Sequence, residues 1–271
     1  MIRGAVLGSP ITHSLSPLLH TTAYEFLGIE ASYFAFDVKS GGLAHFLSEN
    51  DELNCLSLTM PLKEQAFDLA DSVSAIAAQI SSGNTLHRNN GQWQLTSTDV
   101  DGFVSSCHAN NASLAGSVLV IGGGATARAV IGACNGISQV IHVINRNSDR
   151  EKSIRSAAPL SEIIFHSWQV NELINSVDLV VNTTPAGVGD FFRSSINQPT
   201  GVFFEVLYNP WPTQLLQNWR EQGGNSVDGL ELLIHQGISQ IEIFSGSTVD
   251  RSSLAELLRL KALEVLEAST P

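Results

Sequence analysis

The chain has 271 residues, 43% of them hydrophobic, and carries 26 acidic against 14 basic side chains, a formal net charge of −12. It is long enough to bury the cores of two domains, and its acidity, with no Lys/Arg cluster, argues against a nucleic-acid surface, where phosphate contacts dominate. No stretch reaches the length of a membrane span and MIRGAVLGSP lacks the features of a signal peptide, so the expectation is a cytoplasmic protein with no membrane partner. Cys55, Cys107 and Cys134 are odd in number and set among apolar neighbours, which predicts buried free thiols. The eight histidines lack metal-ligand spacing, and no metal site is expected.

In chain order, short apolar runs that suit strands alternate with longer helical ones. RGAVLG is a strand. Ser16 as N-cap and Pro17 at the first helical position then open a helix through LLHTTAYEFLG, stopped by Gly28. That cap accounts for only one serine of THSLSP. A chain extended before Ser16 would put Ser14 and Ser16 on one face, two hydroxyl donors for a single anionic group, and both readings stand at this point. SYFAFDV is a strand, GLAHFLSEN a helix and NCLSLT a strand. From Leu62 to Ile80 no Gly or Pro interrupts LKEQAFDLADSVSAIAAQI, whose apolar spacing of three and four predicts one amphipathic helix. After Gly83 and Asn84, HRNNGQWQLT predicts a hairpin turning at Asn90 and Gly91, whose outgoing strand delivers Thr98 and Asp99.

A second pattern starts near Ser113: strand SVLVIG, a glycine-rich turn, helix ATARAVIGACNG, and strands at QVIHVINR, SEIIFHS, VDLVVNTTP and GVFFEVLY. With a boundary close to Gly102, the expectation is α/β throughout. An N-terminal α/β domain over 1–101 is completed by C-terminal helices returning over 236–271, and a Rossmann-type, doubly wound parallel-sheet domain covers 102–235.

LVIGGGATARA matches G-x-G-x-x-A with Gly122, Gly124 and Ala127, between a strand and a helix. Glycines permit the turn and the close backbone approach to a pyrophosphate at the helix N-terminus, so Gly122, Gly123, Gly124, Ala125, Thr126 and Ala127 form a candidate dinucleotide cradle. The next strand ends INRNSDR, with Asn145 and Arg146 where NAD would call for a carboxylate. This favours NADP(H), with Arg146 stacking on adenine and pairing with the 2′-phosphate and Arg150 reaching the same phosphate. A nicotinamide enzyme acting on an alcohol carbon also needs a group that exchanges the hydroxyl proton. SLTMPLKEQ puts Lys63 after a strand end and at a helix start, where a cation is mildly disfavoured. Asp99, at the end of the TSTDVDGF strand, is its natural counter-charge, giving a Lys/Asp dyad.

SLSP, LTMPLK, GNTL, TDVDG, the pair GGGATAR and NRNSDR, and YNPWPT with DGLELLIHQG occur in an order and spacing by which the chain resembles the shikimate dehydrogenase family from nearly end to end. The resemblance implies NADPH-dependent reduction of 3-dehydroshikimate to shikimate, a step of aromatic amino acid biosynthesis, by a monomer or homodimer. It implies that Ser14 and Ser16, helped by Tyr208, hold the substrate carboxylate, and that Thr59, Asn84 and Gln236 bind ring hydroxyls. Asp99 would bind a hydroxyl and orient Lys63, the proton donor or oxyanion stabiliser. Thr183 and Thr184 of the NTTPAG loop would line the cofactor side, with Gly229 near the nicotinamide. Three positions depart from the family's usual pattern: Ser97 for Asn, Glu205 for Asp and Gly237 for Ala. The alternatives are a quinate or dual quinate/shikimate dehydrogenase, with NAD in place of NADP, and a non-catalytic ligand-sensing relative. Ser16 and Arg146 favour shikimate and NADP, and retention of Lys63 with Asp99 disfavours the sensor.

Overall fold

The computed structural model describes residues 1–169 and 172–268, and it divides into two units, Met1–Thr98 with Leu233–Pro271 and Asp99–Leu232. Residues 269–271, the end of the expected returning segment, lie outside the described residues. Among the described residues no helix is long and apolar enough to cross a membrane.

The first unit is built on β1 (Ile2–Gly8), whose side chains are buried at six of seven positions, as a strand flanked on both sides requires. It pairs in parallel with β2 (Ala31–Asp37) and β3 (Cys55–Leu58). Three further strands, β4 (Ser72–Val73), β5 (Thr85–Asn89) and β6 (Gln92–Thr96), complete a mixed sheet of order β2-β1-β3-β5-β6-β4. The predicted hairpin forms, with Asn90 at φ 51° and Gly91 at φ 82°, as a tight right-twisting turn demands. Helices α1 (Ser16–Leu27) and α2 (Leu43–Glu49) follow β1 and β2. Leu7, Leu56, Leu58, Leu62, Leu86 and Leu95 centre one apolar core.

The single helix expected over Leu62–Ile80 is broken. A short 3-10 turn, Gln65–Asp68, leads to β4, and only α3 (Ala75–Ile80) is α-helical. Tertiary pairing overrides local periodicity here: Asp71 N donates to Trp93 O (2.9 Å), Asp71 Oδ2 accepts from Trp93 N (2.7 Å), and β4 pairs with β6. Ser74 then caps α3, its Oγ accepting from Ala77 N at 3.3 Å.

The second unit opens with α4 (Asp99–Ala109), so Asp99 is the first residue of a helix and not, as expected, the end of a strand. Its sheet is wholly parallel: β7 (Ser117–Ile121), β8 (Val140–Ile144), β9 (Ile163–His166), β10 (Leu179–Asn182), β11 (Val202–Glu205) and β12 (Asn225–Val227), in the order β12-β11-β10-β7-β8-β9. Counted within the unit this is 3-2-1-4-5-6 read from the β9 edge, the doubly wound order, with its switch point between β7 and β10. Val118 to Ile121 are wholly buried, and Trp219 stacks on Phe203 at 5.1 Å in the core. Helices α5 (Ala125–Cys134), α6 (Glu151–Ala157) and α7 (Gln214–Glu221) belong to this unit, α8 (Gly229–Ser245) carries the chain into the first, and α9 (Arg251–Ala268) ends it. Cys55, Cys107 and Cys134 are free and buried, and burial pushes their thiols up to about 12, 12 and 11.

Candidate active site

In the second unit the carboxyl ends of β7, β8 and β10 converge on the glycine turn. Gly122 has φ 121°, a conformation L side chains rarely adopt, and a Cβ there would run into Thr183 Oγ1, which donates to Ile121 O at 2.8 Å. A Cβ on Gly123 would lie 2.8 Å from Asn145 Oδ1. At Gly124, the N-cap of α5, no side chain caps the helix and a Cβ would meet nothing within 4 Å. The first-turn amides of α5, beginning at Ala125, Thr126 and Ala127, therefore lie at the positive end of a helix without a side-chain cap. An anionic pyrophosphate fits this cradle.

Arg146 and Arg150 are exposed beside it. Arg150 Nη1 donates to Gly123 O at 3.3 Å, tying the basic loop to the turn. The Arg146 guanidinium lies 5.1 Å from the ring of Trp168, an aromatic partner that sequence reasoning missed. Asn145 closes the loop locally, with Nδ2 donating to Asn147 O at 2.6 Å. On the other side of the switch point, Thr184 N and Oγ1 both donate to Asn182 Oδ1 (3.2 and 2.7 Å). Gly229, at the start of α8, packs on the backbone of Leu207 and Tyr208, where a side chain would collide.

In the first unit, Asn84, Thr98 and Gln236, from three separate motifs, form one hydrogen-bonded cluster. Asn84 Nδ2 donates to Thr98 Oγ1 at 2.9 Å and to Gln236 Oε1 at 3.0 Å, while Asn84 Oδ1 accepts from Thr98 N at 2.8 Å. Thr59, just after β3, is half-buried, with its N–H on Leu7 O. Lys63 is half-buried in a turn whose carbonyl accepts from Gly83 N at 2.9 Å, so its backbone is fixed beside the residue that precedes Asn84. It precedes a four-residue 3-10 turn and not the expected longer helix. Asp99, 4% exposed, follows Thr98 directly as the first residue of the second unit.

The opening serines behave differently from either sequence expectation. Leu15, not Ser16, is the N-cap of α1, and it is αR (φ −83°, ψ −4°), so the two serines do not flank an extended residue. Ser14 Oγ instead accepts from Ser16 N at 3.3 Å, a local turn that holds the pair together.

The family model described as shikimate dehydrogenase substrate binding domain matches residues 6–86. A shikimate dehydrogenase (NADP(+)) of Prochlorococcus marinus (strain MIT 9301) is 32% identical over 262 residues, 89% of this chain and 91% of that relative. The chain belongs to the shikimate dehydrogenase family. Among solved structures of shikimate dehydrogenases, that from Mycobacterium tuberculosis gives a TM-score of 0.86 at 30% identity over 96% of this chain and 100% of the other. That from Thermus thermophilus, in complex with NADP(H) and shikimate, gives 0.83 at 31% identity, covering 96% and 100%.

Two departures from the usual shikimate dehydrogenase pattern have visible consequences. Ser97 Oγ is buried without a hydrogen-bond partner among the described residues, as a hydroxyl too short to replace an amide would be. Glu205 is fully buried and well supplied with donors. Asn182 Nδ2 donates to both its oxygens (3.1 and 3.0 Å), Thr213 Oγ1 to one (2.8 Å) and Leu207 N to the other (3.2 Å). Burial raises its carboxyl above the ordinary range, opposed by these bonds. The longer acid thus links β10, β11 and the cap of α7, a role no local signal reveals.

Proposed function

We propose that this chain catalyses the reversible NADPH-dependent reduction of 3-dehydroshikimate to shikimate, a step of aromatic amino acid biosynthesis. The observation that carries the reading is the Asn84–Thr98–Gln236 cluster. Gln236 Nε2 gives one proton to Leu233 O (2.8 Å) and has a second for a ring hydroxyl, while Asn84, whose Nδ2 protons are engaged by Thr98 and Gln236 here, trades one of those bonds for the substrate. Ser14, Ser16 and Tyr208 hold the substrate carboxylate, and Thr59, Asn84 and Gln236 orient its hydroxyls, so that the reaction proceeds within one bound assembly.

Gly122 to Ala127 hold the cofactor pyrophosphate, Asn145, Arg146 and Arg150 its 2′-phosphorylated ribose, and Thr183, Thr184 and Gly229 the nicotinamide end. NADPH, when bound, supplies the two electrons and hydrogen that reduce the ketone. Lys63 Nζ gives its proton to the alkoxide oxygen as negative charge grows there, and takes it back in the reverse direction. Asp99 accepts a hydrogen bond from a substrate hydroxyl and keeps the Lys63 ammonium oriented.

Lys63→Ala tests the assignment: turnover should fall roughly 100-fold or more while NADP+ affinity changes little. Unchanged turnover would remove Lys63 from the proton path.

A further inference from the structure

Gln240 sits one helical turn beyond Gln236 on α8, on the same face, and is 1% exposed. Its amide spends all of its hydrogen-bonding capacity inside the first unit. Nε2 donates to Asn84 O (3.0 Å) and Thr85 Oγ1 (2.9 Å), while Oε1 accepts from Ser57 Oγ (2.6 Å) and faces His20 Nε2 at 3.3 Å. The opposite amide orientation would set Oε1 against the carbonyl of Asn84, so the arrangement is unique.

Proton directions then follow around the network. His20 Nε2 faces an acceptor and must carry the ring proton; its Nδ1 therefore accepts from Tyr24 OH at 3.1 Å. Tyr33 OH donates to Ser57, whose own proton goes to Gln240. Thr85 accepts from Gln240, so its proton goes to Asn84 Oδ1 at 2.7 Å. Every bond points from the core toward Asn84, and a flat stack of His20 on Tyr33, 4.0 Å apart and 8° from parallel, braces the far end.

We infer that Gln240 is a positioning residue: acting through Thr85, it locks the rotamer and amide orientation in which Asn84 meets the substrate hydroxyls. This rests on the substrate role given to Asn84 above. Each link is buried, and breaking the chain at Thr85 removes one of the bonds on Asn84 Oδ1, which Thr98 N also holds at 2.8 Å.

The test uses the full chain with two variants, Gln240→Met and Thr85→Val, the second nearly isosteric, and two readouts. The first is the Asn84 side-chain NH2 signal in 15N-edited NMR spectra, identified by its loss in Asn84→Ala. In the unmodified protein it should be a resolved pair protected from exchange, and in either variant it should shift and lose protection. The second is steady-state kinetics, where the KM for shikimate should rise roughly tenfold and that for NADP+ stay within about twofold. An unprotected Asn84 signal in the unmodified protein, or an undisturbed one in a folded variant, overturns the positioning role. A displaced signal with unchanged shikimate KM supports the positioning and overturns the substrate role of Asn84.

Discussion

His20 is 1% exposed, and burial lowers its pKa from 6.5 to about 3 despite the hydrogen bond to Gln240. The unfolded chain takes up a proton there below pH 6.5 and the folded chain does not. The stability contributed by the neutral ring is therefore complete above that pH and lost as pH falls toward 3. Between pH 7 and pH 5 the loss amounts to about 2 kcal/mol from this one residue. His20→Gln should flatten that part of the unfolding free energy against pH; equal slopes in both proteins would show that the ring titrates normally. In the proposed assignment, cofactor choice turns on Arg146. Its cation lies over Trp168, at the end of the strand following the glycine turn. Arg146→Asp should raise the KM for NADP+ roughly tenfold or more and that for NAD+ far less, because the charge placed beside the 2′-phosphate is reversed. Equal losses with both cofactors would move the phosphate site elsewhere.

Among the elements, the strand–turn–helix from β7 to α5 ties fold to function most tightly. Gly122→Ala forces a side chain into a positive-φ position already filled by Thr183. It should destabilise the protein by about 1–3 kcal/mol and weaken NADP+ binding, with shikimate affinity retained. Wild-type NADP+ affinity in this variant would contradict the cradle. This element was legible in the sequence because its signals are local: an apolar strand, glycines at fixed offsets, a helix. The Asn90–Gly91 hairpin was legible for the same reason. The Leu62–Ile80 segment was not, since its helical periodicity is real but Asp71 and β4 are captured by a strand some twenty residues away. Nor was the Gln240 network, whose bonds to Ser57 and Thr85 span 183 and 155 residues. In sequence, Gln240 is one polar residue in an apolar helix. The family motifs pointed to Asn84 and Gln236, but nothing in them shows what holds Asn84 in place.

At the scale of the whole molecule, both proposed ligands are anions and the chain carries a net charge of −12. The net charge opposes their approach. Beyond about 8 Å the repulsion is largely screened at physiological salt, which leaves recognition to short-range groups. In the proposed assignment the α5 amides, Arg146 and Arg150 serve the cofactor in one unit, and the Asn84 cluster serves the substrate in the other. The division of labour explains why a glycine-turn variant and a Gln240 variant are expected to affect different KM values.

The most direct test is a comparison of initial rates of NADP+ and NAD+ reduction with shikimate and with quinate, each varied to saturation. Shikimate with NADP+ should give the highest kcat/KM, by about tenfold or more over the other three pairs, a difference of roughly 1.4 kcal/mol. A preference for quinate or for NAD+, or no turnover by a folded protein that binds NADP+, would contradict the proposed function.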